Sequence, residues 1–171
     1  MKIVSSHTTY INQDYETVSE IVSKVKTILK NSKIIIPGYF PIEISHPYGI
    51  DRFSKYGCVT INIINRAYCK KIIVLLPRQK HPMHTHYIKE ETFQVLNGSM
   101  ILTANGNNYN LKAGELFTIE HGISHSFYSE DSCVFEEIST THHADDSYYE
   151  DEAIAKKQLT ERKTFVTDWN S

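Results

Sequence analysis

The stretch HPMHTHYIKEETFQVLNG, residues 81–98, sets three histidines and two adjacent glutamates ahead of an apolar run. His84 and His86 are two apart, and in an extended strand that spacing points both rings to one face. A reversal after Tyr87-Ile88-Lys89 returns Glu90 or Glu91 alongside them, on a strand that continues as TFQVLNG. Glu91 shares a face with Phe93 and Val95, whereas Glu90 shares parity with Thr92 and Gln94. If Phe93 and Val95 line an interior, Glu91 is the inward carboxylate. A fourth donor is offered by EHGISHSFY, where Gly122 permits a tight turn and His125 opens a strand with Phe127 on its own face. Three imidazoles and a carboxylate suit Mn²⁺, Fe²⁺, Co²⁺, Ni²⁺ or Zn²⁺ with positions left open, and the lack of thiolate donors argues against a closed structural zinc site. Burying these four groups without a cation would be costly.

Working outward, the texture from Lys33 onward is one of short β-branched and aromatic runs broken by Pro, Gly and Asn, which predicts strands separated by turns. The candidates are KIIIPGYFPIEI, CVTINIINR, KKIIVLLP, ETFQVLNG, SMILTA, NYNL, ELFTIEHG, SHSFYS and CVFEEIST. Asn105-Gly106 signals a tight hairpin, and Asn97-Gly98 and Ala113-Gly114 predict two further reversals. So many short strands with few helices between them predict an antiparallel sandwich or barrel. Ahead of them, Val18, Ile21, Val22, Val25, Ile28 and Leu29 recur at the spacing of one helical face over residues 14–31, with Asn12 or Asp14 as candidate caps. The tail from Asp145 is acidic, then mixed in charge, and predicts a short helix followed by an extended segment. With no repeat or low-complexity linker, the chain reads as a single domain over 1–171, with a helical decoration over 1–32, a barrel over 44–143 and a tail over 144–171.

The 171 residues suffice for one core, and a composition 40% hydrophobic and 22% charged with formal charge -2 offers no electrostatic attraction for nucleic acid or an anionic membrane. The opening MKIVSSHTTYINQDYE lacks the apolar centre of a signal peptide, and no apolar run approaches the ~20 residues of a membrane span, so a cytoplasmic location is expected. Cys58, Cys69 and Cys133 are widely spaced and flanked by apolar residues, which predicts buried free thiols.

His84-x-His86-x4-Glu91-x6-Gly98, followed by Gly114-x7-Gly122-x2-His125, resembles the two motifs of the cupin superfamily, separated by SMILTANGNNYNLKA. The resemblance implies a double-stranded β-helix, or jelly-roll, barrel with His84, His86, Glu91 and His125 holding a metal in its interior. Three framework positions depart from the pattern: Arg78 stands where Gly usually opens the first motif, Glu120 where the second has Pro, and Ser129 where it ends in Asn. From about Ile44 to Trp169 the flanks HPYGIDRFSKYG, CVTINIINRAYCKKIIVLLPRQKHPMHTH, EEISTTH and DDSYYEDE are similar to the D-lyxose ketol-isomerase family and to cupin domains appended to sialic-acid-synthase-like proteins. Lyxose isomerases have a longer gap between the paired histidines and the metal glutamate.

That resemblance implies a metal-dependent aldose–ketose isomerase, with manganese favoured, in which a protein base moves a proton between adjacent carbons through an enediolate. Strand alternation sends one of Glu136 and Glu137 inward; Glu137 is favoured as the base, with Glu136 and Lys80 as the other candidates. His142, near the barrel mouth, is a candidate substrate contact. Two other readings stand beside this one: a non-catalytic sugar-binding module serving nonulosonate synthesis, and a non-haem Fe²⁺ oxygenase. Lys89 and Glu90 read as a solvated turn, and His81, His121 and His143 as surface or loop-bracing residues. Tyr148-Tyr149 reads as packing against the barrel or a partner. Sheet edges paired across a two-fold predict a homodimer.

Overall fold

A long amphipathic helix, α1 (Asn12–Asn31), lies against a curled sheet in the computed structural model, which describes residues 2–4, 12–37, 39–167 and 169. Its strands are β1 (Lys2–Val4), β2 (Ile42–Ser45), β3 (Cys58–Asn65), β4 (Tyr68–Leu75), β5 (Gln79–Thr85), β6 (Glu91–Ala104), β7 (Asn107–Lys112), β8 (Leu116–Ile119), β9 (His125–Ser129), β10 (Cys133–Thr140), β11 (Tyr148–Tyr149) and β12 (Lys163–Thr167). Two one-turn helices, α2 (Glu152–Ala155) and α3 (Leu159–Arg162), precede β12. The pairings between these strands are antiparallel, in the order β1-β12-β2-β3-β4-β10-β6-β9-β5-β11, with β7 and β8 both on β6. The architecture is mainly β: a curled antiparallel sheet with an N-terminal helix and small C-terminal helices. No helix among the described residues is long and apolar enough to cross a membrane.

The middle strands are buried on both faces, which is why they read as nearly continuous apolar runs. One face carries Ile42, Ile44, Val59, Ile61, Ile72, Val74 and Val134 and packs against Val18, Ile21, Val22, Val25 and Leu29 of α1. Each of those helix side chains contributes roughly 1.5–3 kcal/mol by leaving water. Cys58, Ile73, Leu75, Phe93, Phe127 and Phe135 form a second cluster, on the inner side. The predicted helical face is the observed one, with Ile28 half-buried at its margin; the side chains of Asn12 and Asp14, the candidate caps, lie outside what the structure describes. All three cysteines are buried and free.

Two predicted reversals are not reversals. Strand β6 runs unbroken through Asn97-Gly98, its first half pairing β10 and β8 and its second half β9 and β7. The register against β10 slips at Val134/Phe135, leaving Leu96 extra, so the glycine marks a bulge that bends β6 from one half of the sheet into the other. Gly98 has φ +80, and a Cβ there would stand 2.2 Å from the Ser132 carbonyl oxygen. At Ala113-Gly114 the chain jogs beside the same bend: β7 and β8 both run antiparallel to β6, in one direction. Asn105-Gly106, with φ 49 and 77, is the tight hairpin predicted. The segment before Pro41 is not a strand; only Ile42–Ser45 pairs, since Pro37 and Pro41 supply no backbone donor. Arg78 takes φ 58, which explains why glycine is usual there.

Candidate metal centre

His84 lies on β5 directly opposite His125, the first residue of β9, and His86 follows the end of β5. The chain then turns and enters β6 at Glu91, which sits beside Ser139 of β10 and Ile119 of β8. One donor atom from each of His84, His86, Glu91 and His125 can be chosen so that all lie within 4.8 Å of one another, and all four residues are buried.

The remaining ring nitrogens decide the chemistry of this cluster. Nδ1 of His84 donates to the Pro82 carbonyl at 2.9 Å, Nδ1 of His125 to the Ile123 carbonyl at 3.0 Å, and Nδ1 of His86 to the Asp146 carbonyl. A carbonyl oxygen only accepts, so each Nδ1 carries a proton, and in the neutral ring each Nε2 presents a bare lone pair. His125 Nε2 and Glu91 Oε1 are 2.8 Å apart, buried and without a hydrogen bond. Two acceptors face each other there, an arrangement that a cation between them turns from repulsive to attractive. The donor set therefore fits a divalent ion held by neutral imidazoles and one carboxylate, with the outer carbonyls fixing tautomer and orientation. Burial, with His125 the next cause, pushes the His84 ring well below the ordinary histidine range; burial also brings His86 to about 4, so both are neutral donors near pH 7.

The cluster opens into a cavity of about 60 Å³ lined by Glu43, Ser45, Thr60, Lys71, Lys89, Glu137, His142 and Lys163 among others. Glu137, inward on β10, accepts from the Lys89 ammonium at 2.9 Å and lies 3.4 Å from Lys71. Burial alone would raise the Glu137 carboxyl, but Lys71 and Lys89 outweigh it and bring it to about 2. Lys89 also pairs with Glu91. Burial would raise Glu91 too, yet the Lys89 ammonium outweighs it and holds the carboxyl well below the ordinary carboxylate range. For Lys89 the balance runs the other way: burial disfavours its charge, and Glu137 and Glu91 raise it above the ordinary lysine value.

The structure sorts the sequence candidates. Glu137 lines the cavity, while Glu136 points out of it to pair with Lys70 at 2.6 Å, as strand alternation requires. Lys80 is exposed on the outer side beside Tyr48 and Tyr56, away from the cluster. His142 is half-buried at the cavity wall, its ring brought to about 4 by burial and then by Lys71. Glu90, His121 and His143 are exposed.

Two expectations are corrected. Lys89, read as a solvated turn residue, is only 3% exposed and bridges two buried carboxylates. His81, read as a surface or loop-bracing residue, is buried because a register shift between His81 and His84 puts it on the same inward side, stacked on Phe127. Its Nδ1 lies 3.5 Å from Cys58 Sγ and its Nε2 3.2 Å from the Tyr149 hydroxyl, so it braces the wall without joining the donor set.

Other residues of the site stand outside the sequence candidates. Asp146 accepts at its carboxylate from the backbone N–H groups of Tyr87, Ile88 and Lys89, at 2.9, 3.1 and 3.0 Å, and so holds the turn between the histidines and Glu91. Tyr149 stacks on His84, and the buried Glu43–Lys163 pair spans β2 and β12. For Asp146 the signal available was the acidic run beside Tyr148-Tyr149; for Glu43 and Lys163 there was none, since they are far apart in sequence.

Residues 71–141 match the family model described as a cupin domain. The HTH-type transcriptional regulator PuuR of Escherichia coli K12 is 42% identical over 134 residues, spanning 71% of this chain and 72% of the regulator. The chain belongs to the cupin family. The Shigella flexneri PuuR matches this cupin to the same extent. Among solved structures, Cellulomonas parahominis L-ribose isomerase with L-psicose superposes with a TM-score of 0.70 at 14% identity, covering 84% of this chain and 95% of the isomerase. The same enzyme with L-ribose gives 0.66 at 14% identity, covering 82% and 94%. At that identity the likeness to the isomerase is one of fold. In this cupin the family motifs fall on β5, the following turn, β6 and β9, the elements that bring the four donors together.

Proposed function

We propose that this cupin is a metal-dependent aldose–ketose isomerase of the D-lyxose ketol-isomerase type. The observation that carries the reading is the convergence of three bare Nε2 lone pairs and Glu91 beside the buried Lys89–Glu137 pair. A divalent ion held by His84, His86, Glu91 and His125 supplies Lewis acidity toward neighbouring carbonyl and hydroxyl oxygens; manganese is favoured by family resemblance, and iron, cobalt, nickel and zinc also suit the donors.

The chain's own residues supply the proton traffic. Glu137 takes a proton from one carbon and returns it to the adjacent one, and Lys89 steadies charge on the oxygen side. With its carboxyl near 2, Glu137 is a weak base at neutral pH. A sugar hydroxyl that draws the Lys89 ammonium away removes one of the two cations responsible and raises its basicity. His142, neutral near pH 7, hydrogen-bonds a sugar hydroxyl. Phe93 and Phe127 exclude bulk water from the inner end. The partner in solution is a second copy of the chain, and light scattering is expected to report a dimer.

A second reading has its own support. The 42% identity to a transcriptional regulator favours a non-catalytic cupin that binds a sugar or related small molecule as an accessory or sensing module. One experiment separates the two: protein loaded with Mn²⁺, incubated with pentoses, hexoses and their phosphates, and followed by NMR for ketose formation. The isomerase reading expects turnover that Glu137→Gln abolishes with metal content unchanged. Sugar binding without turnover, with metal bound, supports the second reading and overturns the first.

A further inference from the structure

Besides the histidines, six side chains that carry charge at neutral pH line the cavity: the ammonium groups of Lys71, Lys89 and Lys163 and the carboxylates of Glu43, Glu91 and Glu137. Lys89 bridges Glu91 and Glu137, Lys71 stands 3.4 Å from Glu137, and Lys163 stands 2.8 Å from Glu43. Three positive and three negative charges balance. A divalent ion on the neutral imidazoles and Glu91 adds two positive charges to a buried wall whose carboxylates are already matched. An unanswered buried charge costs several kcal/mol, so the compensating negative charge has to arrive with the ligand.

The Glu43–Lys163 pair points the same way. It takes no part in holding metal or moving a proton, both side chains are about nine-tenths buried, and the pair faces the cavity beside the hydroxyls of Ser45 and Thr60. A buried ion pair gives no stability that apolar packing could not match. Its placement on a ligand-facing wall is what a binding role explains.

We infer that the ligand carries an oxyanion group, a carboxylate or a phosphate, seated at the end of the cavity formed by Lys163, Lys71, Ser45 and Thr60. This rests on the proposal that the cavity is a metal-dependent small-molecule site, and it names the class of molecule that site takes: an acidic or phosphorylated sugar over a neutral one.

The test is calorimetric titration of the Mn²⁺-loaded full chain with a pentose, the matching pentose phosphate and the matching aldonate. At least one anion is expected to bind about tenfold or more tightly than the pentose, and whichever does so identifies the phosphate or the carboxylate. The preferred anion is also expected to raise the Mn²⁺ affinity by the factor by which Mn²⁺ raises its own. Lys163→Met is expected to remove the preference while leaving Mn²⁺ stoichiometry intact. Because that change strands the Glu43 carboxylate, the double variant Glu43→Gln/Lys163→Met keeps the wall neutral and is expected to lose the preference equally. A pentose that binds as tightly as both anions, no anion binding at all, or a double variant that retains the preference overturns the inference. Turnover of a neutral pentose without any anion preference overturns it and leaves the isomerase reading standing; failure to bind Mn²⁺ overturns both.

Discussion

Replacing Lys89 by Met tests whether one ammonium holds two buried carboxylates in the wall of the site. Lys89 is 3% exposed, lies 2.9 Å from Glu137 and also pairs with Glu91. Methionine retains much of the apolar stem and deletes the charge, leaving Glu137 with Lys71 at 3.4 Å and Glu91 facing histidine lone pairs. Removing one partner of a buried ion pair costs about 3–5 kcal/mol, a melting-temperature drop of roughly 6–20 °C for a chain of this size.

The pH dependence has a definite sign. The Glu137 carboxyl is depressed from 4.5 to about 2 in the folded protein, so its ionisation contributes stability that is full above about 4.5 and lost as pH falls toward 2. Without Lys89 that depression shrinks, and the variant gives up less on acidification. The gap between wild type and variant is therefore widest above pH ~5 and narrows below it. Urea unfolding in excess chelator across this range is the assay. A gap under about 1 kcal/mol at neutral pH, or one that stays constant through the carboxylate range, refutes the bridging role.

Gly98→Ala is expected to cost about 2–4 kcal/mol, because a positive φ and a Cβ set 2.2 Å from the Ser132 carbonyl oxygen cannot both be relieved without opening the β6 bulge; thermal melting checks it. Asp146→Ala orphans the N–H groups that hold the turn before Glu91, so Mn²⁺ affinity measured by calorimetry is expected to fall about 10–100-fold. Burial brings the His81 ring to about 3 from 6.5. A depressed histidine contributes stability that is present above about 6.5 and lost as pH falls toward 3, so His81→Gln is expected to flatten the acid limb of the chelated protein's stability curve between those values.

What the chain discloses in its sequence is what repeats with local period. The α1 stripe, the His84/His86 spacing, the inward Glu91 and the Asn105-Gly106 hairpin each follow from residues a few positions apart, and the structure arranges them as that logic requires. Where strand parity fails, an extra residue is responsible. The shift between His81 and His84 brings a histidine of the wrong parity inside, and the bulge at Gly98 lets an Asn-Gly pair bend a strand instead of ending it. Lys89 escapes a local reading for another reason: its burial depends on Glu137, 48 positions away, and no local pattern reports such a partner.

The same distance effect explains why the donor cluster is legible in the sequence and the rest of the cavity is not. His84, His86 and Glu91 come from one turn and its two strands, and two of the three ring protons are held by carbonyls only two residues upstream, at Pro82 and Ile123. Such a unit is specified locally and can be read as a motif. The opposite wall is assembled from β2, β4, β10 and β12, each giving one charged side chain whose meaning depends on the others: Glu43, Lys71, Glu137 and Lys163 are scattered over 120 positions yet sum to neutrality within one cavity. On the inference that the ligand is an oxyanion, that wall is where it is discriminated, because the charged row answers the charge that the molecule carries. On the same inference, ligand choice is a property of long-range pairing, and it is at Lys163 and Glu43, more than at the histidines, that substitution should change which small molecule is bound.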